Sequence, residues 1–361
     1  MKKKIAVVTC YHQPDYVRAV TLRAALRAQP DSEVYEIKNN HRNLLRYPEV
    51  LWSVWRVRRK TRPDAYLLTF RGQELLAMML LLTIGKPLWF DEFIVPGAYA
   101  RFEKHHRSLA TITKHTLSRL GGPIYNVCLR KCAKILADTE AHAELSAKMA
   151  KVNLSRYLAL PVSADEAIFR PSQDIKGEPF KIFYYSSNMQ PLHGVSTVLA
   201  AAIHLQNDPV QFVLVGGKAP LRHAVEVAKK QGANIQYSSW MKISELARTM
   251  HESQLCLGGP FGGTRQALNV VTGKTYQSLA CGVATVVGEG HATNDLFIDK
   301  VNCLKVPQKD VVALTEAVRW AVAAGSDELA KLGAQGRRLY DKEFSNQALA
   351  TKIRPLIDSI G

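Results

Sequence analysis

Short apolar runs rich in β-branched and aromatic residues alternate along this chain with longer stretches of helical period. The runs fall at Lys4–Thr9, Glu33–Ile37, Ala65–Thr69, Pro87–Phe90, Lys134–Ala137 and Arg156–Leu160. The rhythm then restarts at Phe180–Tyr185, Gln211–Gly216, Asn234–Tyr237, Gln254–Leu257, Ala284–Val287 and Cys303–Val306. Amphipathic stretches such as Val17–Ala28, Pro48–Lys60 and Glu74–Leu82 lie between the runs. Strand and helix in alternation predict a parallel sheet with crossover helices, and the restart predicts a second sheet. The polar stretch 163–179, which contains Pro171 and Pro179, reads as the hinge. The expected organisation is one α/β domain over residues 1–165, a second over 166–340, and a C-terminal helix over 341–361 that packs back toward the first domain.

Composition narrows the class. A chain of 361 residues suits two domains of ordinary size, and 47% hydrophobic with 22% charged residues is a globular balance. The longest apolar stretch, Leu75–Ile84, is too short for a membrane span, and the basic start at Lys2–Lys4 leads into a first strand rather than a signal peptide. Of the six cysteines only Cys128 and Cys132 are close, at the spacing of one helix face, which argues for a reducing, cytoplasmic compartment and against a metal cluster.

The net charge of +17 is uneven, because residues up to 170 hold 28 Lys and Arg against 15 Asp and Glu. A basic half of this kind attracts anionic partners. The run Arg56–Lys60 reads either as a solvated helix face or as a surface for lipid phosphates on an anionic membrane. No nucleic-acid-binding module is present, so nucleic acid is not an expected partner.

Ligands of open parallel sheets bind beyond the carboxyl ends of the strands. The residues found there are Tyr11 and His12, Arg71 and Gln73, Asp91 and Glu92, Asp138 through His142, Ser186 and Ser187, Gly216 and Gly217, and the glycine cluster 258–263. The cluster is followed by Arg265 and by Gly273-Lys274-Thr275, which together supply bare amides, two cations and a helix start. Such a set is an anion site, and a diphosphate is the anion to expect in an α/β protein. A P-loop is excluded, since its required glycine five residues before Gly273 is Leu268. No paired aspartates stand ready for a divalent cation, so the diphosphate would be neutralised by protein cations and helix ends, with no metal and no cofactor.

The stretch from Phe261 to Gly288, with Arg265, Asn269, Lys274, Gln277, Cys281 and Gly282 within it, resembles the family 4 retaining glycosyltransferases of the GT-B fold. The similarity is to the subgroup with a Lys-containing turn in place of the paired-glutamate motif. Supporting matches are Tyr185–Val195, Leu214–Gly217, Asp138–His142 and Leu160–Pro171. The resemblance implies two Rossmann-like domains facing across a cleft, an acceptor on the N-terminal one and a nucleotide sugar on the C-terminal one. It implies that Lys274 contacts the donor diphosphate and that Gln277 replaces a glutamate that grips the ribose. His193 stands where a phosphate-binding lysine is common, and Asp91 stands where a polar residue often lies near the reacting sugar. Asp91, Lys274 and His193 are therefore the expected catalytic residues, with a helix N-cap as the other reading of Asp91. Donor contacts are expected from Ser187, Gly216, Trp240, Met241, Phe261, Gly262, Arg265, Lys274, Thr275 and Gln277. Tyr11, His12, Arg71 and Gln73 are expected to face the acceptor. Trp240 and Met241 either cover the base or fill a core, and His142 is either part of the matched Asp138–His142 motif or a second-turn helix residue facing water.

The function expected is metal-independent, retaining transfer of a sugar from a nucleotide-diphosphate donor to a lipid-linked or saccharide acceptor, in surface polysaccharide or glycolipid assembly. The location expected is cytoplasmic, with peripheral attachment to the inner membrane face. A nucleotide-sugar epimerase and a non-catalytic nucleotide-sugar-binding partner are the two alternatives.

Overall fold

The computed structural model describes residues 2–93, 122–172, 177–186, 190–217 and 219–360. The chain forms two compact units, one from Met1–Val162 with Asn346–Gly361 and the other from Ser163–Ser345.

The first unit is a six-stranded sheet. Its strands are β1 (Lys3–Thr9), β2 (Ser32–Lys38), β3 (Ala65–Leu68), β4 (Leu88–Asp91), β5 (Lys134–Ala137) and β6 (Tyr157–Ala159), in the order β2-β1-β3-β4-β5-β6. Every pairing is parallel. Both faces are covered, which is why the strands read as unbroken apolar runs. Ala6, Val8, Tyr66, Leu68 and Phe90 face α2 (Arg46–Thr61), α3 (Leu76–Leu82) and α4 (helical residues 122–131). Ile5, Val7, Leu67 and Trp89 face α1 (Val17–Arg27) and the last part of the chain. The helix α5 (Glu140–Ala150) follows β5.

The second unit repeats the plan. Its strands are β7 (Phe180–Tyr185), β8 (Val210–Val215), β9 (Ile235–Ser238), β10 (Leu255–Leu257), β11 (Thr285–Gly288) and β12 (Leu304–Val306), in the all-parallel order β12-β11-β10-β7-β8-β9. Its helices are α6 (Val195–His204), α7 (Ala219–Lys230), α8 (Ile243–His251), α9 (Gly273–Ala280) and α10 (Val311–Leu339), the last broken at Gly325, where φ is 75°. The residues read as a hinge are packed rather than free at their start. Phe169 is wholly buried, and the Tyr340 hydroxyl meets Ser163, the Ala164 amide and Glu166.

After Ser345 the chain belongs to the first unit again. There α11 (Asn346–Lys352) and α12 (Arg354–Asp358) bury Leu349, Ile353, Leu356 and Ile357 beside α1, and Arg354 holds Asp31 through Nη1 and Nη2 at 2.7 and 2.9 Å. Among the described residues no helix is long and apolar enough to cross a membrane.

Candidate nucleotide-sugar site

Two loops of the second unit touch backbone to backbone, and two glycines allow it. Gly194 has φ 64°, and a Cβ there would lie 2.3 Å from the Phe261 carbonyl carbon. A Cβ on Gly262 would lie 1.8 Å from the Pro191 carbonyl oxygen. The Gly262 amide donates to the Leu192 carbonyl at 3.1 Å and closes the contact. The turn Pro191–His193 is thereby held against the loop that follows β10. Gly262→Ala should force the loops apart, since a backbone oxygen cannot yield as a side chain can, at a cost of about 1–3 kcal/mol. The expected result is a lower melting temperature together with weaker nucleotide binding in a thermal-shift titration. An alanine variant that binds and melts as the wild type does would show that the contact is dispensable.

The held turn places His193 beside the first turn of α9. Thr272, before that helix, sends its hydroxyl to the Gly258 carbonyl at 2.6 Å and gives no side-chain cap. The first amides of a helix have no partner within it, and those of Gly273 and Lys274 point out of this one. Lys274 is only 5% exposed. Its ammonium lies 3.1 Å from His193 Nδ1 and over the rings of Tyr184 and Tyr185, at 5.2 and 5.9 Å. Among the described residues no carboxylate reaches it. Burial brings the Lys274 pKa down from 10.5 to about 7. Burial and the Lys274 charge together hold His193 down at about 2, so the imidazole is neutral. Nδ1 then accepts from the ammonium, and the ring proton sits on Nε2. A buried cation without a counter-ion is costly, and an incoming anion removes the cost.

Other expected donor residues are partly brought to this place. Gln277 lies within one turn of Lys274, and its carbonyl oxygen accepts from the Tyr185 hydroxyl at 2.5 Å. Arg265 is exposed and forms no ion pair among the described residues. Trp240, just past the end of β9, is 70% exposed, which removes the core reading, and Met241 is half-buried against Thr249. Asn269 is turned inward and donates to the Arg265 carbonyl at 2.6 Å. Gly216 has φ 100° and serves a close approach, since a Cβ there would meet the Ser186 carbonyl at 2.3 Å. Its amide donates to the Ser238 carbonyl. Ser187 lies outside the described residues.

Three expectations are corrected. Thr275 is fully buried and its hydroxyl reaches the Thr272 hydroxyl and the Gly259 carbonyl, so it fastens the helix start instead of facing a ligand. Phe261 is a core side chain. The amides of Gly262 and Gly263 are spent on the Leu192 carbonyl and on Gln308 Oε1, so the open donors lie at the start of α9, not in the glycine loop.

In the first unit, Tyr11, His12 and Arg71 do come together at the carboxyl ends of β1 and β3. The Tyr11 and His12 rings are 4.0 Å apart, and the Arg71 guanidinium lies over Tyr11 and Phe70 at 5.9 and 5.4 Å. Tyr16 and Phe93, which sequence reasoning missed, complete an aromatic cluster around Phe70. Arg71 holds φ 62°, a conformation uncommon for a side chain of its size, and Gln73 opens the short turn that follows.

Asp91 requires a larger correction. It is buried against Arg18, whose Nη2 and Nε approach Oδ1 at 2.8 and 3.1 Å, while the Phe70 amide donates to Oδ2 at 3.2 Å. Both oxygens are thus engaged within the first unit, and among the described residues Asp91 caps no helix. His142 is buried rather than water-facing. Its Nδ1 meets Asp138 at 2.5 Å, and its Nε2 is buried without a partner. Burial disfavours its charged form, but the Asp138 charge and hydrogen bond outweigh that and raise its pKa. Glu92 beside it accepts from Ser146 and Tyr125, and burial pushes its pKa up. The cysteines at 128 and 132 are buried free thiols one helical turn apart. Among the described residues no group of three His, Cys, Asp or Glu is placed to hold a metal ion.

Residues 180–324 match the family model described as glycosyl transferases group 1. No curated protein matches the chain by sequence. Among solved structures, sucrose-phosphate synthase from Thermosynechococcus elongatus is similar with a TM-score of 0.73 at 14% identity, covering 99% of this chain and 98% of that one. A glycosyltransferase from Rickettsia africae has a TM-score of 0.69 at 12% identity over 99% of this chain and 98% of that one. Anabaena HepE in complex with UDP and glucose has a TM-score of 0.69 at 10% identity over 99% of this chain and 100% of that one. The family match thus falls within the second unit, and the two Rossmann-like halves share the fold of these GT-B structures.

Proposed function

We propose that this protein moves a sugar from a nucleoside-diphosphate sugar to a lipid-linked or saccharide acceptor, with retention and without a metal, in cell-surface polysaccharide or glycolipid assembly at the cytoplasmic membrane face. The observation that carries the reading is the buried Lys274 ammonium, held by His193 at an open helix start with no carboxylate among the described residues to balance it. That is a place prepared for an anion. The solved complexes of HepE with UDP and with UDP-glucose are on the same fold, which supports the choice of ligand class.

In this reading the donor diphosphate lies against Lys274 and the first amides of α9, with Arg265 and the His193 Nε2 proton as further donors. Gln277 meets the ribose, and Trp240 offers a face to the base. As the bond from the anomeric carbon to the diphosphate oxygen breaks, its electron pair goes to the leaving group. Lys274 and the helix end stabilise that developing charge. The acceptor hydroxyl attacks from the face the diphosphate leaves, and its proton passes to a diphosphate oxygen. Tyr11, His12 and Arg71 form the acceptor shelf, where aromatic faces suit a sugar ring.

The first test is a thermal-shift screen with UDP, GDP and their sugars, because a ligand of the folded state raises the melting temperature. One nucleotide class should stabilise the protein, and its sugar should be released or transferred when acceptor lipid is added. Failure of every nucleoside diphosphate to bind would sink the reading. Binding without turnover would favour a non-catalytic partner, a second reading that the amides at Asn269 and Gln277 support.

The pH dependence follows from Lys274. Its folded pKa of about 7 lies below the ordinary value, so the charged form that holds a diphosphate is present below neutrality and is lost as pH rises. A nucleotide sugar has no diphosphate group titrating there, and His193 stays neutral throughout. Donor affinity should be flat below about pH 6 and weaken by about tenfold per pH unit above 7, with uptake of a proton on binding at pH 8. Calorimetry in buffers of different ionisation enthalpy reads both. Affinity that is constant from pH 6 to 9 would contradict the assignment of the anion site to Lys274.

A further inference from the structure

We propose that the outer face of α2 and α3 in the first unit is a docking surface for an anionic lipid bilayer. The proposal draws on the lipid-linked acceptor reading only for its purpose, and its test uses neither donor nor acceptor.

On α2, Val50 and Val54 are fully buried against the sheet. The opposite side carries Trp52, Trp55, Arg56 and Arg59, at the spacing that forms one stripe along a helix. Trp52 is 56% exposed, and Trp55 is exposed as well. The Arg56 guanidinium stacks over Trp52 at 4.6 Å and that of Arg59 over Trp55 at 4.7 Å. On α3, Leu76 and Met79 face the same core while Met78 and Leu81 face outward, and Ile84 follows at 65% exposure. Both helices pack on one side of the sheet, so their outer residues look away from it together. Arg58 joins them by reaching from α2 to the carbonyls of Leu82 and Ile84. The end of α3 is therefore tied to α2 one position before Arg59 of the aromatic and basic stripe.

A solvated helix face does not need this set. Scattered single hydrophobics are ordinary on a surface, but exposed tryptophan, leucine, isoleucine and methionine side chains gathered on two neighbouring helices mark a contact. The polar part of the face decides which contact. The end of α2 carries Arg58, Arg59 and Lys60, and its one acid, Glu49, is turned back onto Asn40 and His41. A face that joins indole rings, aliphatic tips and guanidinium groups without an acidic partner among the described residues complements phosphate headgroups over an acyl boundary. Tryptophan and arginine both sit at that depth. A protein partner would have to bring a dense acidic rim to the same apolar centre.

The test is sedimentation of the full chain with vesicles of phosphatidylcholine alone and of phosphatidylcholine mixed with phosphatidylglycerol. Wild-type protein should bind the mixed vesicles, bind the neutral ones weakly, and lose the difference in high salt. The paired variants Trp52→Ser/Trp55→Ser and Arg56→Glu/Arg59→Glu should each lower binding by about tenfold or more, the second by removing the preference for anionic lipid. All four residues are exposed, and circular dichroism with an unchanged melting temperature confirms the fold of each variant. Wild-type binding to neither vesicle, or variants that sediment as the wild type does, overturns the proposal. So does a wild-type dimer in light scattering that the tryptophan pair abolishes, which would assign the face to a second copy of the chain. If no nucleotide shifts the melting of the wild type, sugar transfer fails while the vesicle result stands on its own.

Discussion

Replacement of Lys274 by methionine is expected to lower sugar transfer by about 10²–10³-fold, the loss typical of one preorganised transition-state donor, while the unliganded protein becomes more stable. The two effects have one cause. The ammonium is nearly inaccessible, rests against a neutral imidazole and two tyrosine rings, and has no carboxylate nearby among the described residues. Its pKa of about 7 records how poorly the folded protein accommodates the charge. Methionine has a similar length without the charge, so it removes the desolvation cost and keeps the packing. At pH 7 to 8 the variant should melt above the wild type and show no stabilisation by nucleotide sugar. A variant that melts lower would mean that Lys274 stabilises the fold, and one that still binds the donor would mean that the diphosphate lies elsewhere.

The second large effect is expected in the first unit. Arg18→Met should cost about 3–5 kcal/mol, because removal of one member of a buried ion pair leaves the other charged and unpaired. Asp91 would keep only the Phe70 amide, and the carbonyls of Leu160 and Pro161, which Arg18 Nη1 now satisfies, would lose their donor. This guanidinium ties the end of β4 to the chain leaving β6, so the loss is spread over the edge of the sheet. For a unit of this size a melting temperature lower by roughly 6–20 °C is expected. The double variant Arg18→Met/Asp91→Leu should recover most of it. Asp91→Asn separates this role from a catalytic one. It should lower the melting temperature while turnover in the cold stays within a few-fold of wild type. Loss of turnover with unchanged melting would restore Asp91 to the reacting centre.

These two sites differ in how far the chain announces them. Lys274 sits in a local pattern of glycines, a helix start and a lysine, and the pattern alone points to an anion. What it does not contain is the burial of that lysine, because Tyr184, Tyr185 and His193 lie some eighty to ninety positions earlier. The two tyrosines end an apolar strand and read as ordinary core. Asp91 misleads for the same reason in reverse. A carboxylate just past a strand reads as exposed, and the residue that buries it is 73 positions away on α1. His142 likewise reads as a surface position on its own helix until Asp138 and Glu92 are packed around it.

The amino-acid sequence by itself determined the twelve strands among the described residues and their alternation with helices, since strands covered on both faces and amphipathic helices have periods that need no partner to be seen. It also determined the charge asymmetry and the glycine-rich anion motif. Tertiary structure alone decided the strand orders, the meeting of Gly194 with Gly262 that sets His193 beside Lys274, and the sealing of Asp91 by Arg18. Those depend on contacts between residues far apart in the chain, and a pairing energy between distant residues leaves no mark on the local order of either one.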